Sequence, residues 1–469
     1  MIGSKAEFLA VLRQYNPWWQ DGRIYDLPSW RRSSFHQVLN WVKKPPAHRA
    51  LLLSGARQIG KTTLLLQTIE ALLKSGVPST KILYVTFDHP LLKLAKLDEV
   101  LDLWSELEPA KEGIEYLFLD EIQYAKDWQT WLKHQVDFFK KRHIVVTGSA
   151  TPLVTEGQES GVGRWHTMPL ATLSFFEYLQ IKKITLPNIP ELASLSELFD
   201  WKPVQFHKVT SSIQPLVAHF HQYLLRGGFP QSAQVENISQ AQQLLREDII
   251  DKVLKRDMTA LFGVRRILEL EQTFLYLCLH DGALIDIPDL CKNLEVKKPT
   301  VNNFISLLEA AHLIYRLPPF GYGKEILRAR YKIYLADAAI APSIMLKGKS
   351  LLEDPTALGT AVETAFIKHA ISCYRDKSIG FSYWRGTRDR EVDLIATVEG
   401  KLMPFEVKYR EHSTGAGELQ GLQEFCLQKK INQAYVITKD KTDFSIMDLK
   451  HGIKAAKIPA LLACYWLGQ

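Results

Sequence analysis

Four short apolar runs mark the first third of the chain, and a segment of helix length follows each of them. The runs occupy residues 50–53, 82–87, 116–119 and 144–146. Strands that alternate with helices predict an α/β domain whose parallel sheet is covered on both faces. Ligands collect at the carboxyl ends of such strands. The polar residues that end each run are therefore the first candidates for function.

The apolar pattern before the first run is helical. Residues 8–12 predict a short helix that ends at Asn16-Pro17, and a second helical pattern reaches Pro45. The tryptophans of this leader favour a strap packed on the next domain over a surface that stacks on bases.

Helices dominate residues 174–278, and residues 282–317 have the pattern of a winged helix. Its second helix, predicted from residue 297 to residue 308, begins with groups that can meet phosphates or base edges. These groups are Lys297, Lys298, Thr300, Asn302 and Asn303. Winged helices also dock proteins, and nearby carboxylates offset the lysines, so DNA contact and protein docking are both open.

Beyond residue 356 the pattern predicts a helix that carries Glu363, followed by strands at residues 381–385, 391–397 and 401–409. A tight turn at residues 399–400 pairs residues whose numbers sum to 799, which places Asp393 opposite Glu406. Opposed carboxylates in a strand pair repel each other unless a cationic group lies between them.

Side chains alternate along a strand, so Lys408 lies on the same face as Glu406. The sequence therefore predicts that Glu363, Asp393, Glu406 and Lys408 converge. A bulge at Pro404 would shift the register. Glu391 is interpreted as preceding the core of its strand, outside this group.

The turn that follows the first apolar run has the composition of a phosphate-binding loop. Backbone N–H groups at a helix N-terminus supply many donors to a polyphosphate, and the helix dipole favours its charge. Lys61 would reach the β- and γ-phosphates, and Thr62 would complete a Mg²⁺ shell. The predicted ATP-binding residues here are Gly55, Ala56, Arg57, Gln58, Ile59, Gly60, Lys61, Thr62 and Thr63.

The third and fourth runs end in residues suited to the same chemistry. Asp120 would hold Mg²⁺, and Glu121 would orient and deprotonate the attacking water. Ser149 follows the fourth run, where its hydroxyl would contact the γ-phosphate or the water, although turn chemistry explains a Gly-Ser pair equally well.

Composition narrows the class of protein without deciding it. The chain has 469 residues, enough for about three domains, and a formal net charge of +7, which is compatible with nucleic acid or other anionic ligands. Its five scattered cysteines contain no C-x-x-C pair, so we expect reduced core thiols. Without a long apolar stretch or a signal peptide, we expect a cytoplasmic protein.

The motifs together resemble the AAA-type ATPases of archaea and bacteria that carry an uncharacterised C-terminal domain with a PD-(D/E)xK nuclease-like core. The resemblance rests on the phosphate loop, the Phe-Leu-Asp-Glu-Ile-Gln and Thr-Gly-Ser stretches, and Gly163-Arg164 ahead of a Pro-Leu-x-x-Leu-Ser-Phe segment. It implies that Arg164 is an arginine finger, which a neighbouring subunit of a homo-oligomer usually supplies. A surface Arg paired with a carboxylate is the alternative.

The nuclease-like resemblance implies a second active site. In that arrangement Asp393 and Glu406 bind Mg²⁺ or Mn²⁺, and Lys408 stabilises the attacking water and the phosphorane. Related domains also keep the fold and lose turnover, so cleavage and binding are both open.

These patterns predict five segments, and they support two hypotheses for function. The segments are a leader at 1–46, an AAA-like ATPase domain at 47–180, a helical region at 181–278, a winged helix at 279–345 and a nuclease-like domain at 346–469. The first hypothesis is an ATPase that uses hydrolysis for conformational work on DNA. The second is a slow nucleotide-dependent switch whose C-terminal domain only binds a partner.

Overall fold

A computed structural model describes residues 4–107, 113–149, 163–321, 330–388 and 390–469. The chain divides into two compact units. The first comprises the residues up to Leu170 together with Ala310–His312, and the second comprises Ala171–Glu309 and Leu313–Gln469.

The first unit contains a five-stranded parallel sheet. Its strands are Ala50–Ser54 (β1), Ile82–Thr86 (β2), Glu115–Asp120 (β3), Arg142–Gly148 (β4) and Trp165–Pro169 (β5). The spatial order is β2-β3-β4-β1-β5. The four predicted strands are confirmed. The fifth was missed because Trp-His-Thr-Met-Pro is neither a continuous apolar run nor a clear alternation.

Helices cover this sheet and extend the chain before it. They are Lys5–Tyr15 (α1), Trp18–Asp21 (α2), Phe35–Lys43 (α3), Lys61–Lys74 (α4), Pro90–Leu94 (α5), Leu97–Leu107 (α6) and Trp128–Phe138 (α7). One apolar core joins α1 to the sheet, α6 and α7.

The leader packs as a strap, as its tryptophan spacing indicates. The Asn16 side chain donates to the Tyr84 carbonyl at 2.8 Å and accepts from the Tyr84 N–H at 2.7 Å. The indole N–H groups of Trp18 and Trp19 donate to the Ile82 carbonyl. Side chains that bond the backbone of β2 in this way are not available to stack on bases.

The second unit begins with helices. They are Phe175–Ile181 (α8), Pro203–Ser212 (α9), Leu216–Arg226 (α10), Pro230–Gln234 (α11), Ile238–Glu247 (α12), Met258–Phe262 (α13) and Ile267–Leu279 (α14). A π-helix, Asp248–Asp257, joins α12 to α13. Its i,i+4 ion pairs, Lys252 with Asp248 and Lys255 with Asp251, match the mixed charges of that segment.

A helix-turn-helix and a two-stranded hairpin follow. The helices are Ile287–Leu294 (α15) and Lys298–Ala310 (α16), and the antiparallel strands are Ile314–Leu317 (β6) and Lys332–Leu335 (β7). The apolar residues of α16 that were predicted to face a core are all buried. They are Val301, Phe304, Ile305, Leu307 and Leu308.

The C-terminal part is a six-stranded mixed sheet with helices. Its strands are Ser378–Arg385 (β8), Glu391–Val398 (β9), Lys401–Lys408 (β10), Gln433–Thr438 (β11), Ser445–Asp448 (β12) and Lys454–Pro459 (β13), in the order β12-β13-β11-β10-β9-β8. The helices are Ile340–Ile344 (α17), Pro355–Tyr374 (α18), Gln420–Lys429 (α19) and Ala460–Trp466 (α20). The strands β12 and β13 were not predicted.

Composition led to expectations about membrane-spanning segments and about the cysteines. No helix among the described residues has the length and apolar content needed to cross a membrane. The five cysteines are free, as expected, but only Cys278, Cys426 and Cys464 are buried, whereas Cys291 is partly buried and Cys373 is exposed.

Candidate functional site

The predicted phosphate loop lies between the carboxyl end of β1 and the first residue of α4. Gly60 has φ +91°, a conformation that favours glycine. A Cβ added to Gly55 would lie 2.5 Å from the Leu170 carbonyl oxygen, so the backbone passes there only without a side chain. The described chain brings residues 55–63 into one turn with the N–H groups of α4 at its end.

Lys61 is held inside this loop. Its side chain is 4% exposed, and Nζ donates to the carbonyl oxygens of Gly55 at 2.9 Å and Ala56 at 3.0 Å. Arg32 and Tyr124 contact the loop from outside. Arg32 donates to the Ile59 carbonyl, and the Tyr124 hydroxyl accepts from Arg57 of the loop. Sequence reasoning missed Arg32 and Tyr124, whose partners lie far along the chain.

Asp120 lies beside this loop at the end of β3 and accepts three side-chain hydrogen bonds. Thr62 Oγ1 donates at 2.7 Å, the Tyr84 hydroxyl donates at 2.9 Å, and Thr147 donates as well. Burial raises the pKa of the Asp120 carboxyl. The Thr62 and Asp120 oxygens are hard ligands that lie side by side, so they fit Mg²⁺ with phosphate and water oxygens as its other ligands.

Glu121 and Ser149 meet through a residue that the sequence analysis did not single out. Glu121 has a left-handed backbone, with φ +52°, and its N–H donates to Thr147 Oγ1 at 3.0 Å. Gln123 Nε2 donates to the Glu121 carboxylate and to Ser149 Oγ at 2.9 Å. Strained backbone of this kind concentrates at functional sites. Gln123 therefore links the two predicted residues at the sheet edge that carries Asp120.

Arg164 lies at the opposite end of the same sheet. Its carbonyl accepts from the Ala50 N–H, and Trp165 pairs with Ala50 at the start of β1. The length of β1, roughly 16 Å, separates it from the loop of its own chain. The guanidinium contacts Asp137 at 3.3 Å, and both side chains are a little under half exposed. Arg164 therefore lies outside the ATP site of its own chain. Within one chain it forms a surface ion pair with a carboxylate, which was the alternative interpretation.

The register predicted for the C-terminal strands is confirmed. Lys401 pairs with Val398 and Phe405 with Leu394, so the numbers of each pair sum to 799, and Pro404 causes no shift. The next residues along are Asp393 and Glu406. Asp393 Oδ2 accepts from the Val407 N–H at 2.8 Å.

The other two predicted members converge on the same place. Lys408 Nζ contacts Glu406 Oε1 at 2.5 Å. Glu363, from α18, accepts from the Tyr334 hydroxyl at 2.6 Å. Burial, reinforced by the Asp393 charge, raises the pKa of Glu406 to about 8 and that of Glu363 to about 7.

Lys332 is the residue that sequence reasoning missed in this group. It begins β7, is 5% exposed, and places Nζ 3.2 Å from Asp393 Oδ1 and 3.9 Å from Glu363 Oε1. It also pairs with Glu391, which corrects the interpretation that Glu391 lies outside the group. Burial alone would lower the pKa of Lys332, but the charges of these three carboxylates outweigh it and raise the pKa.

This arrangement does not fit the metal site that the nuclease-like resemblance implied. Among the described residues, no group of three or more His, Cys, Asp or Glu side chains is arranged to hold a metal ion. Both oxygens of Asp393 are engaged, one by Lys332 and the other by the Val407 N–H. The assignment of Asp393 and Glu406 as ligands of Mg²⁺ or Mn²⁺ therefore has no support in the geometry.

Comparisons with known proteins match three segments of the chain to family models. Residues 47–179 match the model of an AAA domain, residues 217–350 match a domain of unknown function (DUF8612), and residues 358–461 match another (DUF4143). The first match identifies an AAA-like P-loop ATPase domain. The second and third matches are to domains of unknown function, and their descriptions name neither a nuclease nor a winged helix.

Similar proteins occur in archaea and bacteria. An uncharacterised protein of Methanocaldococcus jannaschii is 27% identical over 71% of this chain and 70% of its own length. Another, from Haemophilus influenzae, is 27% identical over 77% of this chain and 84% of its own length. Among solved structures, a Walker-type ATPase of Pyrococcus abyssi covers 69% of this chain and 96% of its own, at 15% identity and a TM-score of 0.38.

Proposed function

We propose that this protein binds and hydrolyses ATP with Mg²⁺ and uses the hydrolysis for conformational work on DNA. The observation that carries the proposal is the contact between Thr62 Oγ1 and Asp120 Oδ2 at 2.7 Å, beside a glycine-requiring loop that ends at a helix N-terminus. Two separated motifs of the sequence supply oxygen ligands at one point. A structural turn alone does not account for that pairing.

Each residue of the site has a stated task in this proposal. The N–H groups of residues 55–63 and the Lys61 ammonium bind the phosphates, and Thr62 and Asp120 hold Mg²⁺. A Mg²⁺ ion held by these residues would supply positive charge to offset the charge of the phosphates. Glu121 orients the attacking water and accepts its proton, while Gln123, which also donates to Ser149, fixes the Glu121 carboxylate.

The test is Mg²⁺-dependent phosphate release by the full chain. Lys61→Ala removes a phosphate ligand, so we expect loss of both ATP binding and turnover. Glu121→Gln keeps the shape but not the base, so we expect ATP binding to persist while turnover falls about 100-fold or more. Lys74→Ala, at the exposed end of the same helix, is the matched control and should keep the wild-type rate. A wild-type rate in both site variants would show that the site is misassigned.

The DNA part of the proposal is supported by the exposed start of α16. Lys297, Lys298, Asn302 and Asn303 are exposed. Two of the carboxylates that were expected to offset these lysines have arginine partners instead: Asp286 pairs with Arg330, and Glu309 pairs with Arg316. The start of α16 therefore presents exposed lysine and asparagine side chains of the kind that contact DNA phosphates.

A second candidate is a slow nucleotide-dependent switch whose C-terminal domain binds a partner without cleaving it. The position of Lys332 among the carboxylates favours it, because that cluster does not fit a metal. The switch predicts tight ATP binding, negligible turnover and no stimulation by DNA. DNA-stimulated phosphate release would select the first candidate.

A further inference from the structure

The C-terminal carboxylates are organised around an ammonium group. Lys332 Nζ lies between Asp393 at 3.2 Å and Glu363 at 3.9 Å, and it also pairs with Glu391. Tyr334, two residues further along β7, donates to Glu363 and lies 3.4 Å from Lys332 Nζ. All of these groups belong to the second unit.

In its charged form the carboxylate cluster requires a cation. Buried carboxylates in contact with one another repel, and removing them from water costs several kcal/mol for each ion unless the charge is compensated. An ammonium group has three donors. Asp393 and Glu391 are close enough to accept two of them and the Tyr334 hydroxyl lies 3.4 Å away, while Glu363, at 3.9 Å, is compensated by the charge alone. Lys408 compensates Glu406 separately.

A divalent metal needs a different set of ligands. Mg²⁺ takes close to six oxygens at about 2.1 Å in an octahedron. The oxygens of Asp393 are used by Lys332 and by the Val407 N–H. Of the carboxylate oxygens described in this cluster, Glu406 Oε2 alone is buried without a hydrogen-bond partner, and one oxygen does not make a metal site.

We propose that Lys332 is an internal cation that takes the place of a divalent metal in the C-terminal carboxylate cluster, so that this domain is held together without metal and does not cleave phosphodiesters. Lys332 is a positioning residue in this role. Because it comes from β7, its charge also joins the hairpin that follows the helix-turn-helix to β9 and α18. The proposal does not depend on the ATPase assignment, since none of these residues belongs to the first unit.

The experiment is a titration of nucleotide-free full-length protein with Mn²⁺. Binding is measured by calorimetry and by the paramagnetic signal of the Mn²⁺ that stays free. Wild-type protein should bind no more Mn²⁺ than Asp393→Asn. Lys332→Met removes the ammonium and leaves the carboxylates uncompensated, so we expect a Mn²⁺ site at least tenfold tighter than any in the wild type. That site should disappear in the double variant Lys332→Met/Asp393→Asn.

Stability supplies a second measurement. Lys332→Met should melt at a lower temperature than wild type, and Mn²⁺ should restore part of the difference, while the melting temperature of wild type should not respond. Lys457→Met is the matched control, because Lys457 is also buried and pairs with a carboxylate, Asp443 at 2.8 Å. It should gain no Mn²⁺ site.

Three results would overturn the proposal. One is Mn²⁺ binding by wild-type protein that Asp393→Asn abolishes. Another is Mn²⁺-dependent nicking of supercoiled DNA by wild type that Glu406→Ala abolishes. The third is a folded Lys332→Met that gains no Mn²⁺. If Lys332→Met does not fold, the comparison of wild type with Asp393→Asn still decides, because wild-type binding contradicts the proposal and equal binding supports it.

Discussion

Asp281 shows how burial changes a single carboxyl group. It accepts hydrogen bonds from the Leu335 N–H at 2.9 Å and from Thr364 Oγ1 at 2.7 Å. Burial nevertheless raises its pKa to about 7, because removal from water disfavours the charged form more than these bonds favour it. Nothing in the pattern around residue 281 indicates this, since its partners come from β7 and α18.

The raised pKa makes stability depend on pH with a definite sign. Below pH 4 the Asp281 carboxyl is protonated in both states and its full contribution to stability is present. Between pH 4 and pH 7 the unfolded chain releases the proton first, so that contribution is lost, on the order of 4 kcal/mol in all. We therefore expect the free energy of unfolding of wild type, relative to Asp281→Asn, to fall across this range and to level off above about pH 8.

Denaturant unfolding at a series of pH values measures this difference. Asp443→Asn is the control of opposite sign. Burial alone would raise the pKa of Asp443, but hydrogen bonds from Lys457 and Ser413 outweigh it and lower the pKa. The contribution of Asp443 is therefore lost as pH falls below its unfolded value. A wild-type difference from Asp281→Asn that stays constant from pH 4 to pH 8 would contradict the argument for Asp281.

At the scale of elements, the start of α16 is where DNA contact is proposed. Replacing Lys297 and Lys298 together by Ala removes two phosphate-binding charges without touching the buried face of the helix. We expect weaker DNA binding for every sequence, and a slope of log affinity against log salt reduced by roughly 2. Fluorescence anisotropy with labelled duplex at several salt concentrations measures both quantities.

The control for this experiment is Lys255→Ala. Lys255 is exposed as well, but it lies on the π-helix and pairs with Asp251 at 2.8 Å. Its removal should leave the salt slope unchanged. If Lys297→Ala/Lys298→Ala keeps the wild-type salt slope while Lys255→Ala reduces it, the DNA interface has been assigned to the wrong element.

The loop between α10 and α11 has a structural explanation that the sequence did not provide. The Gly228 N–H donates to Asp337 Oδ2 at 2.9 Å, and Thr172 Oγ1 donates to the same atom at 2.6 Å. A Cβ on Gly227 would lie 2.6 Å from Asp337 Oδ1, and one on Gly228 would lie 2.8 Å from the Leu173 nitrogen. The paired glycines therefore allow two backbone segments to approach one buried carboxylate.

For the whole molecule, the position of Arg164 makes assembly testable. In its own chain Arg164 is at the amino end of the sheet and pairs with Asp137, so a catalytic role requires a second copy. If that role exists, Arg164→Ala should lower the ATPase rate per chain only at protein concentrations where the chains associate. Rates measured across a dilution series, with sedimentation at the same concentrations, check this.

Asp137→Ala is the matched control, since it removes the partner of Arg164 and keeps the guanidinium. It should preserve the rate at every concentration. An Arg164→Ala rate equal to wild type in the associated form would reject the arginine finger and leave an ordinary surface pair, worth about 0–1 kcal/mol.

Features that depend on local order along the chain could be predicted from the amino-acid sequence. The glycines and Lys61 of the phosphate loop all lie within residues 55–61, and counting from the turn at residues 399–400 gave the pairing of β9 with β10. Four strands followed from apolar runs. Short-range periodicity encodes such features, because a strand or a turn is specified by residues within a few positions of one another.

Contacts between groups that lie far apart along the chain became visible only in the folded protein. Lys332 lies 61 positions before Asp393, and no periodicity predicts that its ammonium enters the carboxylate cluster. The same holds for Arg32 at the Ile59 carbonyl, and for Arg164, whose distance from the loop follows from strand direction. The physical reason is that charge compensation in a buried site acts through space, so its partners are selected by folding and not by spacing along the chain.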